Sequence, residues 1–305
     1  VLKLDAHVQH FDYVFIDECQ DLNACQRELF LKTIQPVTGR FVAVGDPRQA
    51  IYGFAGADVQ SFELLKAIPN TTLLPLSVCY RCDESIINLA KDIVPQIEAR
   101  DNAETGVINH EAKVEDVQDG DMVLCRITAP LVAQCMNYIS NSIKAFVKGR
   151  DIGQNLINMI NATKRRYLNE TLTKLDADLS KLADKIMKKT GCELEEAQQE
   201  DAYVVMADKI NAIRVIAKDL KTTDAVINRI NQIFKDESRE GICLSTIHKA
   251  KGLEADRVFI LRPDKLYLKH CMTKEWMREQ EHNLVYVAYT RAKHYLGFLP
   301  RKEEE

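Results

Sequence analysis

A short apolar run that ends in two adjacent carboxylates constrains the fold of this chain most strongly. The run Tyr13–Ile16 has the length and composition of a buried strand, and Asp17 and Glu18 follow it directly. A segment with helical periodicity over 23–34 and a second apolar strand over 40–44 come next. Because a strand, a helix and a strand in this order favour a crossover between parallel strands, the sequence predicts an α/β fold.

The same alternation continues along the chain with one long interruption. The carboxylate of Asp83 is suited to cap the helix that follows it. Further strands are predicted over 71–78, 121–127, 241–246, 257–261 and 295–299, and further helices from Asp83, over 130–147 and over 273–293.

Between residues 161 and 236 the pattern becomes purely helical. Leu and Ile recur at steps of three and four residues from 168 to 186, and a second apolar face follows from 206 to 220. We interpret this segment as a helical hairpin or a small helical bundle inserted into the α/β part. Residues 160–190 contain eight Lys or Arg and four Asp or Glu. This excess favours a solvated helix face, with contact to DNA or to a partner as the alternative.

Composition excludes few classes of function. The net charge of −4 means that any nucleic-acid contact needs a local basic groove or aromatic groups. No apolar run reaches the ~18 residues of a membrane span, and nine irregularly spaced cysteines indicate a reducing compartment. We expect the cytoplasm, or the host cytoplasm for a viral protein. Cys79 and Cys82 have C-x-x-C spacing without a second pair, so we interpret them as small buried residues rather than a zinc or redox site.

Several short motifs carry side chains suited to phosphate chemistry. When two carboxylates follow a strand, one can hold Mg²⁺ and the next can deprotonate an attacking water. Gln49 follows a Gly-Asp-Pro turn that ends the second strand, which places it near the same edge. Arginines at strand-to-helix junctions are suited to clamp phosphate groups. Each motif alone is weak evidence, and their order carries the argument.

Five blocks in this order resemble the UvrD/Rep group of superfamily 1 helicases. "IDECQD" is similar to motif II of that family, "GDPRQAIYGFAGAD" to motif III, "YRC" to motif IV, "STIHKAKGLE" to motif V and "LVYVAYTRA" to motif VI. The resemblance covers nearly the whole chain except the helical hairpin. It implies two RecA-like P-loop NTPase lobes, the first one partial, and a reduced accessory subdomain. The implied divisions are 1–76 for the first lobe, 77–160 and 237–305 for the second, and 161–236 for the insertion.

Residue by residue, the resemblance implies a nucleotide site and a DNA site. ATP and Mg²⁺ are the implied cofactors, and single-stranded DNA or a 3′-tailed duplex is the implied partner. The sequence leaves the oligomeric state open between a monomer and an oligomer. The implied catalytic residues are Glu18 as the base, Gln49 and Arg81 near the γ-phosphate, and Arg291 as the arginine of motif VI. The implied binding residues are Asp17 for Mg²⁺, Tyr80 for adenine, Glu254 for the ribose, and Tyr52, Phe54 and His248 for DNA.

The chain departs from the family pattern in several places. Phe54 stands where the family usually has Trp, Ala55 replaces an Arg that usually contacts DNA, and Arg48 replaces an acidic residue. No Gly-Lys-Ser or Gly-Lys-Thr occurs in the 305 residues. The family carries that phosphate-binding loop before motif II, so we expect it upstream of this chain.

The expected function is therefore an ATP-dependent translocase or helicase on single-stranded DNA, moving 3′ to 5′, of which this chain is the C-terminal part. On its own the chain is expected to be inactive. Two alternatives remain open: a non-catalytic DNA- or protein-binding module derived from a helicase, and the motor part of a helicase-nuclease.

Overall fold

The apolar run at the start of the pattern forms the predicted strand, β1 (Tyr13–Ile16). The computed structural model describes residues 8–53, 56–58, 60–235, 240–268, 271 and 275–300. In it, β1 pairs in parallel with β2 (Arg40–Ala43). Helix α1 (Ala24–Thr33) connects them, and Asn23 begins it with a reciprocal capping box to Gln26. Both strands therefore end at one edge, which brings the segments that follow them together.

The next predicted strand is wrong over most of its length. The chain continues with α2 (Ser61–Lys66), and within the segment 71–78 only Val78 is in a strand. That strand, β3 (Val78–Cys79), pairs with β4 (Glu98–Ala99). Pro75 interrupts the predicted run and has no N–H to donate to a neighbouring strand. The leucines on either side of it are largely exposed, so this segment has no sheet to join.

A seven-stranded sheet forms the centre of the larger lobe, and all of its neighbouring strands pair in parallel. Its buried central strands agree with a parallel sheet that is covered on both faces. In chain order the strands are β5 (Val107–Asn109), β6 (Met122–Cys125), β7 (Ala145–Lys148), β8 (Phe234–Lys235), β9 (Ile242–Thr246), β10 (Ala255–Leu261) and β11 (Ala292–Leu299). Their spatial order is β5-β11-β10-β6-β9-β7-β8.

Two hydrophobic cores lie against this sheet. Leu131 and Leu156 belong to one core, and Ile86 and Leu284 to the other. The helices that supply them are α3 (Glu84–Ala90), α4 (Thr128–Ser140), α5 (Arg150–Ala162), α10 (Ile247–Ala250) and α11 (Glu275–Tyr289). The fold is α/β, as predicted.

Two local predictions in this lobe are wrong. The helix predicted over 130–147 ends at Ser140, because Ser142 takes a left-handed backbone (φ 62°) and the apolar residues after it join the sheet as β7. Asp83 precedes α3 but its carboxylate does not cap that helix. Its Oδ2 instead lies 2.8 Å from Nδ1 of His294, which follows the start of β11.

The helical segment contains four helices in its described residues, as in a small bundle rather than a hairpin. They are α6 (Leu168–Thr190), α7 (Leu194–Ala197), α8 (Asp201–Ile216) and α9 (Thr223–Ile233). Leu175, Ile213 and Ile230 from these helices share one core with Leu131 of α4. Both carboxylate oxygens of Asp208 on α8 accept hydrogen bonds from the first backbone amides of α4, at 2.8 and 3.0 Å. The insertion therefore packs as a layer of the lobe, while the divisions at 76, 160 and 236 stay predictions.

All nine cysteines lie in the described part of the chain, and all are free thiols. Within that part, no helix combines the length and the apolar character that crossing a bilayer requires.

Candidate functional site

The two adjacent carboxylates lie where β1 ends, and both are exposed. Oδ1 of Asp17 accepts a 2.9 Å hydrogen bond from the backbone amide of Glu18. Glu18 itself has a left-handed backbone, with φ 52° and ψ 43°. This conformation is costly for a residue with a Cβ atom, and such residues cluster at functional sites. The chain thus directs Glu18 away from the path of the strand.

Lys251, from the segment after α10, reaches the first lobe and contacts Glu18. Its ammonium lies 3.0 Å from Oε2 of Glu18 and 2.5 Å from Oδ2 of Asp21. Burial by itself raises the pKa of Glu18, but the hydrogen bond and charge of Lys251 outweigh it, so the pKa is lowered. Burial raises the pKa of Asp21 despite the same lysine. Glu18 is therefore held ionised at neutral pH, as a proton acceptor must be.

The loop 46–53 follows β2 and inserts into the second lobe. Ile51 is fully buried in the core built around Ile86 and Leu284. The side-chain amide of Asn283 on α11 donates to the carbonyls of Pro47 and Ala50, at 3.3 and 3.1 Å. This loop is the main link between the two lobes, and it carries Gln49.

Gln49 and Arg48 point to different partners within this link. The Nε2 of Gln49 donates to Oδ2 of Asp46 at 3.1 Å, which fixes the amide beside the end of β2. Nη1 of Arg48 lies 3.3 Å from Oε1 of Glu279 on α11, and both side chains are largely solvated. The substitution of Arg for an acidic residue at 48 thus adds a weak ion pair between the lobes.

Two of the predicted DNA residues meet in the structure. The hydroxyl of Tyr52 donates a 3.0 Å hydrogen bond to the backbone carbonyl of His248 on α10. The ammonium of Lys251 lies 5.3 Å from the centre of the Tyr52 ring. Burial, together with the charge of Arg126, lowers the pKa of His248 to about 3, so this imidazole is neutral. The third predicted residue, Phe54, lies outside the described residues, as does Ala55.

A solvent-open depression joins the residues predicted to hold the nucleotide base and ribose. Cys79, Tyr80, Arg81, Glu254 and Lys293 line it. Nε of Arg81 lies 2.6 Å from Oε2 of Glu254, and the ammonium of Lys293 lies 3.0 Å from Oε1. The hydrogen bonds from Lys293 and from Arg81 lower the pKa of Glu254. The Tyr80 ring is 77% exposed, so one flat face is free for stacking.

Arg291 lies between α11 and β11 and is almost wholly buried, with 1% of its surface exposed. Its guanidinium donates to the carbonyls of Val287 and Leu253, at 2.9 and 3.0 Å, and to the hydroxyl of Thr290 at 3.2 Å. Burial first, and then the nearby charge of Arg81, lower its pKa to about 10. Arg291 is therefore bonded within its own lobe, whereas Arg81 faces solvent.

The residues present fit a magnesium ion. Mg²⁺ prefers carboxylate oxygens and keeps several water or phosphate ligands, so one exposed carboxylate at a strand end is a sufficient protein contribution. Asp17 offers that carboxylate, and only its Oδ1 takes part in a hydrogen bond described above.

Comparison with known proteins identifies the family. The family model of the UvrD/REP helicase N-terminal domain matches residues 3–68, and that of the UvrD-like helicase C-terminal domain matches residues 150–300. The chain belongs to the UvrD/Rep helicase family. The predicted resemblance to this family is thereby confirmed, and the α/β lobes are RecA-like lobes.

Individual relatives agree with this family. The chain is 24% identical to F-box DNA helicase protein 1 of Schizosaccharomyces pombe over 93% of its own length and 33% of that protein. It is 35% identical to the ATP-dependent DNA helicase PcrA of Staphylococcus aureus over 94 residues, 30% of this chain and 12% of PcrA. The C-terminal domain of a possible DNA helicase from Lactobacillus plantarum is a solved structure with 13% identity and a TM-score of 0.32, covering 72% of this chain and 86% of that one. The chain thus spans about a third of the length of F-box DNA helicase protein 1 and about an eighth of that of PcrA.

Sequence reasoning missed two lysines of this site. Lys251 and Lys293 both lie in or next to the quoted motifs, but a lysine is usually solvent-exposed, so neither attracted a role. The only available indication for Lys251 was its place between the small residues Ala250 and Gly252. Its burial depends on carboxylates more than 200 residues earlier, which no local pattern reveals.

Proposed function

We propose that this chain is part of an ATP-dependent motor that moves along single-stranded DNA, with 3′ to 5′ polarity as its motifs imply. One observation carries the proposal. The loop 46–53 contacts the carboxylate side through Asp46, whose backbone amide donates to the Gln20 side chain, which in turn donates to Glu18. It contacts the predicted DNA side through Tyr52, while Ile51 anchors it in the second lobe. A loop held in this way can transmit a change at the nucleotide to the DNA strand.

The nucleotide would bind across the depression that contains Tyr80 and Arg81. The exposed ring of Tyr80 is available to stack on adenine, and Glu254 can accept hydrogen bonds from the ribose hydroxyls. Arg81 is paired with Glu254. A phosphate group is a stronger partner for a guanidinium than an exposed carboxylate, so we expect Arg81 to exchange Glu254 for the γ-phosphate.

Hydrolysis would use the residues at the end of β1. Glu18 accepts a proton from the water that attacks the γ-phosphorus, and the bond from that phosphorus to the bridging oxygen of ADP breaks. Gln49 orients the water or the γ-phosphate. When bound at Asp17, Mg²⁺ neutralises charge on the phosphates. Arg291 would support the site from behind Arg81, since its guanidinium is buried and already bonded.

Single-stranded DNA would pass over the other side of the same loop. Tyr52 offers a ring for base stacking, an interaction of ~1–3 kcal/mol per base in other proteins. We propose single-stranded DNA or a 3′-tailed duplex as the substrate, a monomer as the working form and the cytoplasm as the location. Phe54 belongs to this proposal by its motif.

The test is ATP turnover by the full-length protein with and without single-stranded DNA. We expect stimulation of at least about tenfold, because the DNA contact orders the loop that carries Gln49. A protein that binds single-stranded DNA but shows no turnover at saturating Mg-ATP would instead support the non-catalytic module. A protein that showed neither DNA binding nor ATP turnover would refute both the motor and the non-catalytic module.

A further inference from the structure

Lys251 is a buried cation at the contact between the lobes. Its side chain is only 7% exposed, and its ammonium has three oxygen partners. These are Oε2 of Glu18 at 3.0 Å, Oδ2 of Asp21 at 2.5 Å and the backbone carbonyl of Gln49 at 3.0 Å. The Tyr52 ring packs against the same ammonium at 5.3 Å.

This arrangement satisfies the lysine completely. An ammonium has three N–H donors and no acceptor, and here three oxygens receive them. Burying a charge is costly unless all of its hydrogen bonds are made, so the surrounding oxygens must be held in place for Lys251 to stay buried. All four partners belong to residues 18–52, whereas Lys251 belongs to the segment that follows α10. The contact is therefore a specific junction between the two lobes.

The partners of Lys251 fall on both sides of the proposed mechanism. Glu18 and Gln49 belong to the hydrolytic side, and Tyr52 belongs to the DNA side. All three N–H groups of the Lys251 ammonium are already in use. If Glu18 or Gln49 moves toward a bound nucleotide, its contact with Lys251 must therefore lengthen or be replaced by another. The ammonium then shifts beneath the Tyr52 ring, whose hydroxyl is held by the carbonyl of His248 only three residues away from Lys251.

We propose that Lys251 is a positioning residue that couples the hydrolytic carboxylate Glu18 to the DNA-contacting ring of Tyr52. This inference rests on the proposed function, which assigns Glu18 to hydrolysis and Tyr52 to DNA contact. It goes beyond that function because it names the residue that connects the two. Because its side chain is only 7% exposed, Lys251 would act through the groups that it holds.

Lys249 provides a matched control on the same short segment. Its side chain is 43% exposed, and its ammonium lies 2.7 Å from Oδ2 of Asp151, within the second lobe. Replacing Lys249 by Met removes the same charge and keeps the same stem, but leaves the junction between the lobes intact.

The first measurement uses this chain and needs no activity. Hydrogen–deuterium exchange is followed in the peptides that contain 46–53 and 247–253, in the wild type, Lys251→Met, Lys251→Arg and Lys249→Met. In Lys251→Met we expect exchange of 46–53 to accelerate at least about tenfold, because local opening becomes easier once the junction is lost. Lys249→Met should exchange like the wild type. Equal exchange in Lys251→Met and the wild type overturns the junction itself.

The second measurement separates coupling from a merely structural link. In the full-length protein, the ratio of ATP turnover with and without single-stranded DNA should fall at least about tenfold in Lys251→Met and remain unchanged in Lys249→Met. Lys251→Arg keeps the charge but cannot place its planar fork on the same three oxygens, so its ratio should lie between those of Lys251→Met and the wild type. If Lys251→Met does not fold, Lys251→Arg decides, and a wild-type ratio in it overturns the proposal.

The outcomes distinguish this inference from the proposed function. Faster exchange in Lys251→Met together with an unchanged stimulation ratio would make Lys251 a structural link only, and would overturn the coupling role. A wild-type protein without DNA stimulation would refute the proposed function, and the coupling role would fall with it, while the exchange results would still report on the junction.

Discussion

The hydroxyl of Tyr52 donates a 3.0 Å hydrogen bond to the backbone carbonyl of His248, across 196 residues of sequence. Both residues were assigned to DNA contact from separate motifs, and the structure places them against each other at the junction of the lobes. Each side of the bond has its own anchor, since Ile51 is buried in the second lobe and Thr246 caps α10 through the Lys249 amide. Both anchors belong to the second lobe, so this bond holds the Tyr52 ring to that lobe.

The first prediction concerns the Tyr52 ring. Tyr52→Ala should weaken binding of single-stranded DNA by ~1–3 kcal/mol, because a stacking face is lost. Tyr52→Phe keeps the ring and loses only the hydrogen bond to His248, so its affinity should lie within about threefold of the wild type. Fluorescence anisotropy with a labelled oligonucleotide measures both variants. Equal affinities for Tyr52→Ala and the wild type would exclude stacking on Tyr52.

The second prediction concerns the two arginines. Arg291→Ala should lower the free energy of unfolding by at least about 2 kcal/mol, because three acceptors lose their buried donor and a cavity remains. Arg81→Ala should change stability by less than about 1 kcal/mol, since its ion pair with Glu254 is solvated. Urea unfolding followed by circular dichroism compares the two. Stability equal to the wild type in Arg291→Ala would show that this arginine is free to act as an exposed finger.

The third prediction concerns the pH dependence of Cys79. A hydrogen bond from the Cys82 thiol, opposed by burial and helped by backbone amides and the charge of Arg81, lowers the pKa of Cys79 to about 5. The thiolate therefore persists at pH 6–7, and its alkylation rate should fall only as the pH drops through about 5. The exposed Cys25 serves as the control in the same samples.

Mass spectrometry of iodoacetamide-treated protein locates the modified residue at each pH. Cys82→Ser keeps a hydroxyl donor and should leave much of the effect in place, whereas Cys82→Ala should move the alkylation profile of Cys79 toward that of Cys25. Coincident profiles for Cys79 and Cys25 in the wild type would contradict the assigned hydrogen bond.

The fourth prediction concerns the way in which the helical segment joins the lobe. Asp208→Ala should destabilise the chain by about 1–2 kcal/mol, because both amides at the start of α4 lose their acceptor. Asp184→Ala, at an exposed position of α6, should change stability by less than about 0.5 kcal/mol. Denaturant midpoints measure the difference. Equal midpoints would mean that the helices pack on the sheet without this cap.

The sequence predicted those parts of the fold that local pattern determines. The apolar run before Asp17 and the helical periodicity over 23–34 each act over a few residues, and both are confirmed. The segment 145–148 could not be assigned locally, because its strand character comes from pairing with β9, about 100 residues later. The same holds for Asp83, whose carboxylate meets His294 instead of its own helix.

The candidate site shows the same division. The motifs located Glu18, Gln49 and Tyr52, but the roles assigned to them stay predictions. Burial of Arg291 depends on packing within the second lobe, and burial of Lys251 depends on how the two lobes meet. An arginine or lysine in a sequence is normally expected to be exposed. Sequence therefore indicated which segments form the site, and the structure shows which of their charges are held inside it.

Single-turnover hydrolysis of Mg-ATP by Glu18→Gln in the full-length protein, at saturating single-stranded DNA, tests the central claim most directly. The substitution keeps the shape of the side chain and removes the proton acceptor, so hydrolysis should slow at least about 10²-fold while Mg-ATP still binds. Glu279→Gln, on the exposed face of α11, is the control and should hydrolyse like the wild type. Hydrolysis by Glu18→Gln at the wild-type rate would contradict the account, because the carboxylate at the end of β1 would then not be the base.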